Sequence, residues 1–303
     1  MLRINDHLDV HEREQILRRS DAVAAWLVLS NWVCVLGLLA LAGYYPGVLT
    51  ILLVWILLPG RQLGLSVLMH EAGHGTLFAN RRMNQWVGQW LCALPTLNDL
   101  NAYAVGHLDH HRKAGTPEDP DLANYHAYPI DKRSFMRKVT RDVTGQTGAK
   151  LLAGVMRGGL SHFGGANGAG RALLAKQVGA QLALALILTL FGIGWTWWLW
   201  FGTLMTSYML VSRLRQIAEH AAVPDANDPD PRSNTRTVDA PAWQRFLMAP
   251  NFVNFHLEHH LLPGVPCYRL PAFRALLQRK GLLDGVPAFS GYQHVFRHTV
   301  RAV

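Results

Sequence analysis

Residues Val48–His74 read VLTILLVWILLPGRQLGLSVLMHEAGH. This is an apolar run of bilayer length, about 20 residues per crossing, with two histidines one helical turn apart at its end. A span that delivers imidazoles at its tip predicts a membrane protein with a metal site beside the lipid. The run is interrupted by Pro59-Gly60-Arg61-Gln62. Arg61 is expected to snorkel to the interface; a headgroup or carboxylate contact is the alternative.

Two further histidine boxes lie downstream, HLDHH at His107, His110 and His111, and FHLEHHL with His256, His259 and His260. The i, i+3, i+4 spacing brings each set to one face of a helix. With His70, His74 and His220 in AEH, nine of the fifteen histidines belong to these boxes. Neutral imidazole is a common ligand of iron, zinc and copper. Histidines 7, 11, 126, 162, 294 and 298 are isolated and read as surface or interfacial polar residues.

Half of the 303 residues are hydrophobic and 16% are charged, and the apolar residues stand in long runs. That pattern excludes an ordinary soluble domain. The expected fold is all-α and integral to the membrane, one domain over residues 1–303. Transmembrane helices are expected at about 22–44, 48–69, 178–193 and 196–211, with a cytoplasmic helical cap from 70–177 and 212–303. Gln85–Pro95 is apolar but too short to span and reads as interfacial or re-entrant. Trp195, Trp197, Trp198 and Trp200 read as an aromatic belt. The connectors at Tyr45-Pro46-Gly47 and Gly194-Trp195 carry no Lys or Arg, which places both termini and all boxes in the cytoplasm. The net charge of +9 sits in segments flanking the apolar runs, a distribution that fits lipid headgroups or an acidic redox partner better than nucleic acid. Cys34, Cys92 and Cys267 form no metal or disulfide pattern. No signal-peptide core precedes Ala22.

Taken alone, HEAGH is the zincin pattern HExxH with Glu71 as base, and Asp284 in Leu283–Gly285 is the tempting third ligand of an intramembrane zinc protease. Two points oppose it: Asp284 falls in a soluble tail, and one zinc has no use for seven further clustered histidines. A histidine-rich transporter would need ligands at the bilayer midplane, whereas these boxes lie outside the apolar runs.

HEAGHGTLF, HLDHH with the following GTPEDPDL, RQIAEHA and NFHLEHHLLPGVP together resemble the membrane fatty acid desaturase superfamily, which includes lipid desaturases, hydroxylases and carotenoid ketolases. The likeness runs from about residue 60 to 270. It implies four transmembrane helices, a cytoplasmic cap and two irons that use O2. By that resemblance the ligands are His70, His74, His107, His110, His111, His220, His256, His259 and His260. Gln216 stands where relatives have an Asn that reaches iron through water. The first box has three residues between its histidines, unlike the animal acyl-CoA enzymes, and the third begins with His256 rather than Gln, unlike front-end desaturases. Glu71, Asp109, Glu219 and Glu258 are expected to accept imidazole N–H groups.

The resulting expectation is an O2-dependent desaturase of a fatty acyl or lipid chain in a bacterial cytoplasmic membrane. A hydroxylase or ketolase of an alkyl chain or carotenoid is the alternative. Electrons are expected from a separate ferredoxin, rubredoxin or cytochrome b5-type donor with its reductase.

Overall fold

The computed structural model describes residue 2, residues 4–160 and residues 168–301; His162 lies outside them. In chain order the helices are α1 (Val10–Leu17), α2 (Asp21–Tyr44), α3 (Val48–Gly73), α4 (Arg81–Val87), α5 (Leu100–Lys113), α6 (Leu122–Tyr125), α7 (Lys132–Val143) and α8 (Gln146–Leu160). They continue with α9 (Ala169–Leu190), α10 (Thr196–Met205), α11 (Ser207–His220), α12 (Pro231–Asn234), α13 (Ala242–Met248), α14 (His256–Leu261), α15 (Leu270–Arg279) and α16 (Tyr292–Thr299). Two short strands, β1 (Ile130–Asp131) and β2 (Val300–Arg301), pair in parallel.

Among the described residues, three segments are long and apolar enough to cross a membrane: Val10–Tyr44, Val48–Gly73 and Ala169–Leu190. The third begins well before the expected residue 178. The fourth expected span, 196–211, is not one helix. It breaks at Thr206, where the backbone leaves helical geometry between α10 and α11.

The second expected span, 48–69, is by contrast one helix, and α3 continues through Pro59. Proline at 59 removes the N–H that would bond the carbonyl of Trp55. Ser207 Oγ donates to that carbonyl at 3.2 Å instead. The break in the fourth run thus supplies the donor that the second run lacks, as backbone at membrane depth requires. Polar side chains do the same beside Gln85–Pro95, which folds as α4, a π-helical turn and a 3-10 turn. Gln181 and Gln177 of α9, both buried, donate to the carbonyls of Pro95 and Leu97 at 2.8 and 2.9 Å.

The spans pack through a buried cluster that includes Leu39, Leu58, Leu65, Leu188 and Trp200. Trp200 is wholly buried and stacks on Trp32 at 6.1 Å, so it is a core residue rather than part of a belt. Outward-facing Trp26, Leu29, Val33 and Leu36 leave an apolar stripe on α2 for lipid. The N-terminal lead-in packs on the histidine side, with Ile4 and Ile16 against Leu257 and Phe273.

Arg61 of α3 packs against α13. It is 9% exposed, with its guanidinium 4.1 Å above the Phe246 ring of α13. Gly60 permits this approach: a Cβ there would lie 2.5 Å from the Phe246 carbonyl oxygen and 2.7 Å from that of Leu247. Gly60→Ala is therefore expected to lower stability by about 1–3 kcal/mol, the range for forced overpacking. Gly37→Ala on α2 meets nothing within 4 Å and is expected to hold or raise the unfolding temperature. Thermal unfolding of both variants in one detergent checks the pair; equal midpoints would show that α13 is not pressed against α3.

Candidate metal centre

Four stretches distant in sequence deliver the imidazoles. The end of α3 carries His70 and His74, α5 carries His107, His110 and His111, the last residue of α11 is His220, and α14 carries His256, His259 and His260. All nine fall into adjoining groups. His70, His74, His107, His111 and His259 form one; His110, His220 and His260 form a second, which shares His220 with a third made of Glu219, His220 and His256. The rings of His111 and His260 stack at 4.2 Å where the groups meet.

Neighbouring residues serve opposite groups. His110 and His111 diverge, as do His259 and His260, because successive side chains on a helix are about 100° apart. Residues four apart converge: Nε2 of His107 and Nε2 of His111 approach within 3.0 Å. Across helices, Nε2 of His259 stands 2.9 Å from that of His111, and Nε2 of His256 stands 2.8 Å from that of His220.

This donor set fits metal ions. Both ring nitrogens of His70, Nε2 of His74, Nδ1 of His259 and Nε2 of His260 are buried without any hydrogen-bond partner. Burial, reinforced by neighbouring imidazoles, holds His107, His111, His256, His259 and His260 well below the usual histidine range, and His74 is pushed down to about 2. The rings are therefore neutral and present lone pairs to one another. A shared cation turns that crowding into bonding.

The four carboxylates expected against imidazoles divide evenly. Glu71 Oε1 lies 3.3 Å from Nδ1 of His70, while its other oxygen accepts from Thr76 Oγ1 and the Cys267 N–H. Glu219 lies 3.6 Å from Nδ1 of His256 and is paired with Arg215; its burial pushes its pKa up to about 7 against that cation. Asp109 instead points away from the histidine face of α5 and binds Lys113 at 2.8 Å and Arg112. Glu258 faces backward, bonding Arg274 of α15 at 2.7 Å and Thr237, and so anchors the box helix from behind.

Asp119, which the box spacing does not single out, holds an imidazole more tightly than any of these. It is 5% exposed and accepts from His110 Nδ1 at 2.8 Å. Tyr125 donates to its other oxygen and stacks on His220 at 4.9 Å. The signal is the Asp in TPEDPD, whose tight turns after α5 fold the loop back onto His110. Gln216 lines a cavity of about 350 Å³ with Tyr103, His107, His110, His220 and His256. Asp284 lines a separate cavity with Arg274 and Thr237 and belongs to none of the histidine groups. Among the isolated histidines, His11, His126 and His294 bond partners four residues away and His298 bonds the Ala222 carbonyl, all outside the histidine groups.

The sequence pattern of the family described as fatty acid desaturase matches residues 46–292. The chain is 24% identical over 286 residues to dihydrorhizobitoxine desaturase of Bradyrhizobium elkanii, covering 86% of this chain and 77% of that one. It is 27% identical over 312 residues to the sn-1 oleoyl-lipid 12-desaturase of a Picosynechococcus species, covering 92% and 84%. Against the beta-carotene ketolase of a Paracoccus species it is 28% identical over 264 residues, covering 83% and 88%.

Asp119 positions rather than reacts, and its variant separates the two roles. Asp119→Ala is expected to lower metal content or turnover by about 10–100-fold, the usual effect of removing an imidazole's carboxylate partner. Elemental analysis alongside turnover would check this, with Asp119→Glu restoring part of both. Full metal loading and turnover in Asp119→Ala would show that His110 needs no such support.

Proposed function

Because the chain belongs to the fatty acid desaturase family, whose pattern covers residues 46–292, we propose that it is an O2-dependent di-iron desaturase acting on a fatty acyl or lipid chain. Its membership and its desaturase and ketolase relatives make it an oxidoreductase, which removes the protease reading of HEAGH. The observation that carries the di-iron reading is that the nine histidines gather into a cluster of five and, beside it, two smaller sets joined through His220. One catalytic zinc needs three protein ligands.

His70, His74, His107, His111 and His259 would hold one iron. His110, His220, His256 and His260 would hold the other, with Gln216 reaching it through a water. Irons in these places supply the activation of O2 and the oxidation of an unactivated C–H bond. In the net reaction two vicinal hydrogens leave the chain, and O2 becomes two waters with two electrons and two protons from a donor. That donor is a separate ferredoxin, rubredoxin or cytochrome b5-type protein with its reductase.

The protein's own part is to keep the ligands neutral, oriented and dry. At His74, His107, His111, His220, His256, His259 and His260 burial disfavours the proton that would compete for the lone pair. Asp119 fixes which nitrogen of His110 faces inward, and Glu71 and Glu219 stand 3.3 and 3.6 Å from Nδ1 of His70 and His256. Tyr103 stacks on His107 at 5.2 Å and shuts that side. On the membrane side of His70, Leu63, Val67 and Met69 of α3 line a cavity of about 90 Å³. A chain entering from lipid would place its reacting carbons there, with these apolar residues setting its depth.

The ketolase relatives favour a second reading, a hydroxylase or ketolase on the same scaffold. Two measurements decide. Elemental analysis of the purified chain is expected to give about two irons. His259→Ala is expected to insert in the membrane normally yet lose iron and all activity. One zinc per chain, or an active His259→Ala, would sink the di-iron assignment. Mass spectrometry of lipids from expressing cells is expected to show a loss of about two mass units; a gain of about sixteen would mean hydroxylation instead.

A further inference from the structure

Among the described residues, Arg61 and Arg245 are cations without a counter-ion. Arg61 stands on α3 about 20 Å from Val48 and about 14 Å before His70, at 1.5 Å per residue, inside the apolar segment Val48–Gly73. One N–H of its guanidinium donates to the Phe246 carbonyl, while its Nε is buried with no partner. Arg245 precedes Phe246 on α13 and also buries an unpartnered Nε. Neither forms an ion pair among the described residues. Arg213, Arg215 and Arg274 are paired with Asp142, Glu219 and Glu258, whereas Arg236, bonded to the Ala222 carbonyl and lying over Phe289, also lacks an ion pair but stands apart from other cations.

The carbonyl contact gives Arg61 a structural task, closing the end of α13 where helix carbonyls lack donors. It uses one of five N–H donors and neutralises no charge. A guanidinium held at membrane depth is stable only when its charge is answered.

Both arginines line one groove of about 220 Å³, whose remaining walls include Phe246, Ala249, Pro250 and Phe252. The groove opens at the surface of α13, where Trp243 is 60% exposed, as an interfacial anchor would be. Two planar cations at the base and aromatic rings along the wall match a ligand that is anionic at one end and apolar beyond it.

We propose that this groove binds the anionic head of an amphiphile, with the start of its acyl chain over Phe246 and Phe252. The head is either the phosphodiester of an acidic lipid or the carboxylate of a fatty acid. Inorganic phosphate would answer the charge and leave the rings bare.

The test is the thermal unfolding midpoint of the full chain in detergent, titrated with phosphatidylglycerol, phosphatidylcholine, oleate or inorganic phosphate. Phosphatidylglycerol or oleate is expected to raise the midpoint by several degrees, and whichever acts at lower concentration identifies the head. Arg245→Gln breaks no contact with the protein and is expected to weaken that ligand's apparent affinity roughly tenfold, the loss of one charge-assisted contact. Lys132→Gln, which removes an exposed cation on α7, is expected to change nothing and so controls for net charge. The proposal fails if phosphatidylcholine or inorganic phosphate stabilises as well as the anionic amphiphiles. It also fails if Arg245→Gln and Lys132→Gln respond alike. The lipid comparison on the unaltered chain stands without any variant.

Discussion

Imidazoles pressed together in a buried space bring donor nitrogens against one another. Nine of them meet here, and five of their ring nitrogens are buried with no hydrogen-bond partner at all. Such crowding opposes folding unless a cation sits among the donors, which is why the clusters suit a metal ion. The rest of the chain is organised to hold that crowd in register. α3 brings its pair up from the membrane and α14 is held from behind by Glu258, while a loop returns Asp119 to brace α5.

The membrane part obeys a second constraint, that no backbone carbonyl be abandoned in lipid. Each irregularity is matched by a polar side chain on a neighbour. Pro59 orphans the Trp55 carbonyl and Ser207 answers it; the turn at Pro95 and Leu97 is answered by Gln181 and Gln177. Asn31 on α2 closes a further link by donating to the carbonyl of Arg61 at 2.9 Å. Small residues let these partners approach, as at Gly64, where a Cβ would collide with Asn31.

What could be read from the sequence follows from how local each signal is. The boxes are local: i, i+3 and i+4 on a helix fix which imidazoles share a face, and the structure gathers all nine. Helix spacing also explains why Asp109 turned out wrong, since a residue between His107 and His110 points off their shared face and toward Lys113. Asp119 could not be found that way, because its contact depends on a loop folding back over nine positions. The break at Thr206 and the continuity through Pro59 are one event shared by two helices. Reading the fourth run alone, by composition, hides its break at Thr206.

The alternation of His110 with His111 and of His259 with His260 has a mechanical result. Each of these two helices places imidazoles on both sides of the boundary, so neither side can be adjusted by itself. A small turn of α14 about its axis advances one donor and withdraws another across the boundary. The two halves of the centre are geared together, and their separation is set by the pitch of the α-helix rather than by any side chain placed to measure it.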